Sequence, residues 1–124
     1  MSKYKAQGIN NTFKNARKGV RLVLKSEMNI RVHMICAVFV IVFALLLELS
    51  ITKICILLLT IAMVISAEML NSAIEFALDA VFHNRYSKMV GMAKDISAGA
   101  VMFVTFVAVI IGCFIFVPPL VAMF

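Results

Sequence analysis

Three long apolar runs constrain this chain more than any other feature. They cover residues 32–49, 54–81 and 96–117. The first is apolar apart from His33 and Glu48, and the second opens without interruption before taking up polar positions. Small residues start the third, and Pro118-Pro119 is read as its stop. A helix crossing the hydrocarbon needs about 20 apolar residues, so each run is long enough, the first only just. Nothing alternates with period two, which argues against strands. The apolar share is 64%, far above the roughly 45–50% of a soluble domain, and a chain of 124 residues cannot hide that much apolar surface in a core. The expected fold is an all-α integral membrane protein, one domain over residues 1–124. It divides into a cytoplasmic, interfacial segment over 1–29 and membrane helices over 30–49, 53–82 and 95–118.

Charge sets the orientation. Of twelve Lys and Arg residues, eight precede the first run: Lys3, Lys5, Lys14, Arg17, Lys18, Arg21, Lys25 and Arg31. Arg85, Lys88 and Lys94 lie in or beside the segment 83–95, Lys53 alone separates the first two runs, and none follows the third. The positive-inside rule then puts the N-terminus and the second connection in the cytoplasm, with the turn near Ser50 and the C-terminus outside. The basic residues flank membrane runs, where anionic lipid heads lie, so the net charge of +6 does not argue for nucleic acid. Cys36, Cys55 and Cys113 all sit in apolar runs without metal-ligand spacing and read as small packing hydrophobes. The N-terminus has no pattern of a cleavable signal, because a long basic stretch precedes the first run.

Residues 1–8 read as a loose tail. Residues 9–25 read as an amphipathic helix, with Ile9, Phe13, Ala16, Val20, Val23 and Leu24 on one face and five basic residues on the other. Such a helix suits the interface plane. The polar segment 83–92, containing Gly91, reads as a cytoplasmic connection.

The second run raises the functional question. Glu68, Asn71, Ser72, Glu75 and Asp79 are spaced 3, 1, 3 and 4 apart, which places all five on one helical face. Counted from Ile54, Glu68 lies about 21 Å along the helix, still within a hydrocarbon layer of about 30 Å. Glu75 falls near the boundary and Asp79 beyond it. An acid at the helix centre costs roughly 2.5–3.5 kcal/mol on insertion scales. Asn71 and Ser72 could serve only as helix glue with Glu68 protonated or paired, but three acids on one face need a further reason. The topology brings Glu27 and Asp95 to the same end as Glu68, Glu75 and Asp79, with Asn71, Lys94, Arg31 and His33 nearby. Carboxylates at an interface suit Mg²⁺, which is held by one or two of them plus substrate phosphates. Lys94 is a point charge for a phosphate, and a further carboxylate could accept a proton from an attacking hydroxyl. Together these parts fit phosphoryl transfer from a nucleotide in water to a hydroxyl in the lipid. Neither a GxxxxGK[ST] cradle nor a kinase-type Gly-rich loop is present.

The stretches E-M-L-N-S-A-I-E-F-A-L-D from Glu68 and A-K-D-I-S-A-G-A from Ala93 resemble the small bacterial membrane kinases for diacylglycerol and undecaprenol. The resemblance covers nearly the whole chain. It implies a single lipid kinase domain in a homotrimer, three membrane helices and an N-terminal surface helix per chain, ATP and Mg²⁺, and active sites shared between neighbouring protomers in the bacterial cell membrane. Glu68 resembles the proposed general base. Glu27 and Glu75 resemble the carboxylates that hold the metal with the ATP phosphates. Asn71, Lys94 and Asp95 resemble the remaining polar set, while Arg17, Lys18 and Asp79 match weaker nucleotide-binding positions. E-M-N-I-R-V-H, from Glu27 to His33, resembles the E-x-N-x-[KR]-x-H of the Gram-positive branch that prefers undecaprenol. The longer spacing between Glu68 and Lys94 resembles that branch too. The other branch phosphorylates diacylglycerol.

Two readings of other classes stand beside the kinase. An ion or proton carrier would use the acidic stripe as a relay, but residues 54–65 offer only Thr60 to continue it outward. A non-catalytic membrane subunit accounts for the runs and the basic helix, not for the acids. Ser97, Ala98, Gly99 and Ala100, with Ala73, Ala77 and Ala80, would let helices approach closely, within the chain or between protomers.

Overall fold

The computed structural model describes residues 8–85 and 87–124. The tail with Lys3 and Lys5 lies outside the described residues, apart from Gly8 at its end. Four helices follow in order: α1 (Ile9–Ser26), α2 (Met28–Leu46), α3 (Ile51–Phe82) and α4 (Lys88–Ala122). No strand occurs among the described residues. The last three helices are each long and apolar enough to cross a membrane, so the chain is an integral membrane protein. At about 1.5 Å per residue, α2 is about 28 Å long, α3 about 48 Å and α4 about 52 Å.

Each junction has a local cause. α1 and α2 are separated by one extended residue, Glu27, at φ −114° and ψ 110°. The Glu27 N–H still donates to the Val23 carbonyl at 2.9 Å. Arg31 then reaches back and donates to the carbonyls of Leu24 and Lys25, both at 2.8 Å. The last carbonyls of a helix have no partner within it, and one guanidinium from the next helix supplies two of them. Arg31 is therefore a cap for α1.

The α2–α3 turn is a Schellman closure. Leu49 N–H donates to the Ala44 carbonyl and Glu48 N–H to that of Leu45, both at 3.1 Å, with Glu48 left-handed at φ 54°. Ser50 caps α3, its hydroxyl accepting from the Lys53 N–H at 3.3 Å. At the other end His83 and Asn84 both take left-handed angles and stop α3.

Two expected boundaries move. The connection 83–92 is shorter than its composition suggests, because Ser87 caps α4 by accepting from the Val90 N–H at 3.1 Å. Gly91 is thus helical, and the connection is confined to 83–87. At the far end Pro118 and Pro119 do not stop α4, which runs on to Ala122. Each proline removes one donor but keeps a helical φ, so the backbone follows the helical path without those two bonds.

α3 is the central helix and packs against both α4 and α2. Near the α2–α3 turn, Ala44, Leu57 and Ile115 form a small apolar core with Ile54, Ile111 and Phe116 packed on it. Phe116 also stacks on Phe43, ring centroids 5.5 Å apart. Most other large apolar side chains face outward, as they do when lipid rather than protein is the neighbour. The three cysteines are exposed as well and free. On α1, Val23 is buried, while Ile9 and Phe13 of the same apolar face are about three-quarters exposed, at 75% and 72%.

Candidate active site

The polar stripe of α3 is partly buried along its length. Glu68 is 8% exposed and Ser72 4%, while Asn71, Glu75 and Asp79 are half-buried. α2 and α4 flank α3, and each offers polar partners. From α2, His33 Nε2 lies 3.2 Å from Glu68 Oε1. From α4, the hydroxyl of buried Ser97 donates to the Asn71 side-chain oxygen. Lys94, three residues earlier on α4, donates to Asp79 Oδ1 at 2.7 Å. The stripe is therefore a seam of three cross-helix links, from His33–Glu68 in the depth of the bundle to Lys94–Asp79 near the 83–87 connection. The Lys94–Asp79 pair is more than a third exposed on each side, so solvent screens it and it contributes little to stability.

Among the expected site residues, Glu68, Asn71, Lys94 and Asp79 fall in this seam. Glu75 lies on the same face of α3, between Asn71 and Asp79. Glu27 sits half-buried at the α1–α2 break, where Arg31 fixes the entry of α2. Asp95 is exposed beside Lys94, and Arg17 and Lys18 are exposed on α1. Arg31, placed near the acids by the sequence, is committed to backbone carbonyls instead. Two seam members were given no chemical role by the sequence, although His33 was expected near the acids and closes the E-M-N-I-R-V-H stretch. His33 is a lone histidine in an apolar run, and Ser97 stood in a tract read only for its size. A polar residue on each neighbouring helix, at the level of a buried Glu and Asn, was the available signal. Gly99 in the same tract does not serve close packing within the chain, since a Cβ there would meet nothing within 4 Å.

No group of three His, Cys, Asp or Glu side chains comes together to cage a metal among the described residues. The carboxylates thus form no all-protein cage. Mg²⁺ does not demand one: it keeps water and phosphate oxygens and takes one or two carboxylates. Half-buried Glu27 and Glu75 carry carboxylates, hard oxygen donors of that kind.

Two cavities adjoin the seam. One of about 320 Å³ lies between α2, α3 and α4. It begins at His33 and runs past Val64, Leu57 and Thr105 to Phe116 with mainly apolar walls. A second of about 230 Å³ lies between α1 and α3, lined by Gly19, Val23, Ser72 and Phe76 among others. The buried Glu68 carboxylate thus meets, through His33, the apolar groove that begins there.

Comparison with known proteins decides the family. The family model for prokaryotic diacylglycerol kinase matches residues 14–116. The chain belongs to this family. Among relatives, a diacylglycerol kinase of Synechocystis sp. is 35% identical over 112 residues, covering 90% of this chain and 64% of that protein. An undecaprenol kinase of Bacillus subtilis is 35% identical over 109 residues, covering 88% of each. This prokaryotic diacylglycerol kinase family member thus spans somewhat less than two-thirds of the Synechocystis protein's length and most of the Bacillus one. Equal identity to relatives named for two acceptors leaves the acceptor open on similarity alone.

Proposed function

We propose that this chain is an ATP- and Mg²⁺-dependent lipid kinase that transfers the γ-phosphate of ATP to a membrane lipid hydroxyl, undecaprenol before diacylglycerol. The carrying observation is the position of Glu68. It is buried, it tops the polar seam, and its partner His33 lines an apolar groove between the membrane helices. A long-chain alcohol would lay its chain along the groove and present its hydroxyl at Glu68. The Glu68 carboxylate takes the hydroxyl proton as the oxygen attacks the γ-phosphorus and the bond to the bridging oxygen of ADP breaks. Glu27 and Glu75 would hold Mg²⁺, whose chemistry is to neutralise phosphate charge. Lys94 leaves Asp79 to steady the phosphoryl group, Asn71 and Asp95 complete the polar set, and Arg17, Lys18 and Asp79 meet the nucleotide. Residues E-M-N-I-R-V-H and the near-equal coverage with the Bacillus protein support undecaprenol.

In this reading the N-terminus is cytoplasmic, α1 lies on the membrane surface with its exposed Phe13 and Ile9 in lipid, and the C-terminus is outside. Three chains form a trimer with shared sites, which suits helices that bury so little within one chain. A carrier is disfavoured, because the space beyond Glu68 is the apolar groove rather than more of the seam.

The test is transfer from γ-labelled ATP with Mg²⁺ in mixed micelles, with undecaprenol and diacylglycerol offered side by side. Label in undecaprenyl phosphate supports the full proposal. Label mainly in phosphatidic acid changes the acceptor and keeps the mechanism. No label in either, from folded protein, sinks it.

A further inference from the structure

His33 belongs at once to the groove and to the seam. Its ring lines the 320 Å³ cavity, and its Nε2 stands 3.2 Å from the Glu68 carboxylate. Of the other polar groups in that lining, Thr60 donates to the Ile56 carbonyl at 2.7 Å, and Thr105 lies further along the groove on α4. The α2 run around His33 is otherwise apolar, from Val32 through Leu46. The imidazole is only partly buried, and the charged group it faces is Glu68.

We propose that His33 is a positioning residue for the transfer, holding the Glu68 carboxylate at the mouth of the groove so that its second oxygen faces an incoming lipid hydroxyl. This rests on the kinase reading above. With its proton on Nε2, the ring donates to Oε1. A single donor at one oxygen fixes the plane of the carboxylate, and the other oxygen keeps its lone pairs for the substrate proton. The arrangement follows the logic of a base oriented by a third group. Its location also assigns its scope. His33 lines the apolar groove, whereas Glu75, Asp79 and Lys94 continue the seam toward the 83–87 connection, so His33 governs the acceptor's proton and not the nucleotide. A merely structural histidine would act as glue between α2 and α3, and its loss would lower stability and leave turnover per folded molecule unchanged.

The experiment compares wild type, His33→Leu and His33→Gln in mixed micelles with both lipids. It measures kcat, KM for ATP, thermal stability, and the infrared carboxylate band of Glu68, identified by subtraction of the Glu68→Gln spectrum. His33→Leu is expected to lower kcat by about 10²-fold, the cost of a slightly misplaced catalytic group, with KM for ATP within about twofold. The Gln amide nitrogen reaches much the same place as Nε2, so His33→Gln recovers most of the rate. The carboxylate band shifts in His33→Leu and returns in His33→Gln. Should His33→Leu fail to fold, His33→Phe, which keeps ring volume without a donor, takes its place with the same expectations. An active wild type matched in kcat by the Leu or Phe variant overturns this inference alone, as does an unmoved carboxylate band. Equal losses in the Gln and Leu variants do the same. A wild type that phosphorylates neither lipid overturns this inference and the kinase reading together.

Discussion

The two ends of the helix bundle solve the same packing problem with opposite materials. Near the α2–α3 turn, Ala44, Leu57 and Ile115 meet with no polar side chain among them. Toward the 83–87 connection, the buried side chains of α3 and α4 include Glu68, Ser72 and Ser97, and Glu68 and Ser97 are joined across helices to His33 and Asn71. Lipid chains are as apolar as leucine, so an apolar contact between membrane helices gains only van der Waals packing. A polar contact there costs insertion energy and returns little stability. The turn end therefore reads as architecture, and the seam as chemistry retained at a cost.

That contrast can be broken by substitution. The largest effect belongs to the seam: Glu68→Gln should cut kcat by about 10²–10⁴-fold with ATP affinity and thermal stability close to wild type. Unchanged turnover would remove Glu68 from the role of base. At the turn end, Leu57→Ala should cost about 2 kcal/mol of stability, seen as a lower melting temperature in the same detergent, while kcat of the surviving folded protein stays put. A fall in kcat without a loss of stability there would erase the distinction between the ends. Glu75→Gln should raise the Mg²⁺ concentration for half-maximal rate by about tenfold, read from a Mg²⁺ titration at fixed ATP. Ser97→Ala removes the link to Asn71 and should lower stability by about 0.6 kcal/mol, the mean for such bonds in membranes. Smallest is Glu48→Gly in the α2–α3 turn. Relief of the left-handed strain at φ 54° against the greater freedom of an unfolded glycine should leave a gain of about half a kcal/mol or less, visible as a slight rise in melting temperature and no change in rate.

The sequence carried the apolar helices and the acidic face of α3 because both are repeating patterns along one segment. Period and length need no knowledge of neighbours. The same economy misled at the boundaries. Pro118-Pro119 reads as a stop when judged by propensity, but prolines already hold the φ a helix needs, and α4 continues. Gly91 and its charged neighbours read as loop, yet one hydroxyl, that of Ser87, starts the helix before them. What lay out of reach were pairings across helices. That Arg31 caps α1 rather than joining the acids depends on the angle at Glu27. That His33 meets Glu68, and Ser97 meets Asn71, depends on the relative register of three helices, which no periodicity within one of them encodes. An apolar run likewise does not say which of its sides faces protein, so the outward placement of the three cysteines was not legible either.

The unequal helix lengths have one further consequence. α3 and α4, at about 48 and 52 Å, exceed a hydrocarbon layer of about 30 Å, whereas α2, at about 28 Å, nearly equals it. A helix with length to spare meets a thicker or thinner bilayer by tilting or sliding at small cost. α2 has no such slack: Arg31 ties its start to α1, and the Schellman closure fixes its end. The short helix is thus the depth gauge of the molecule. Since His33 rides on it and faces Glu68, the level at which the carboxylate sits is measured off the membrane itself.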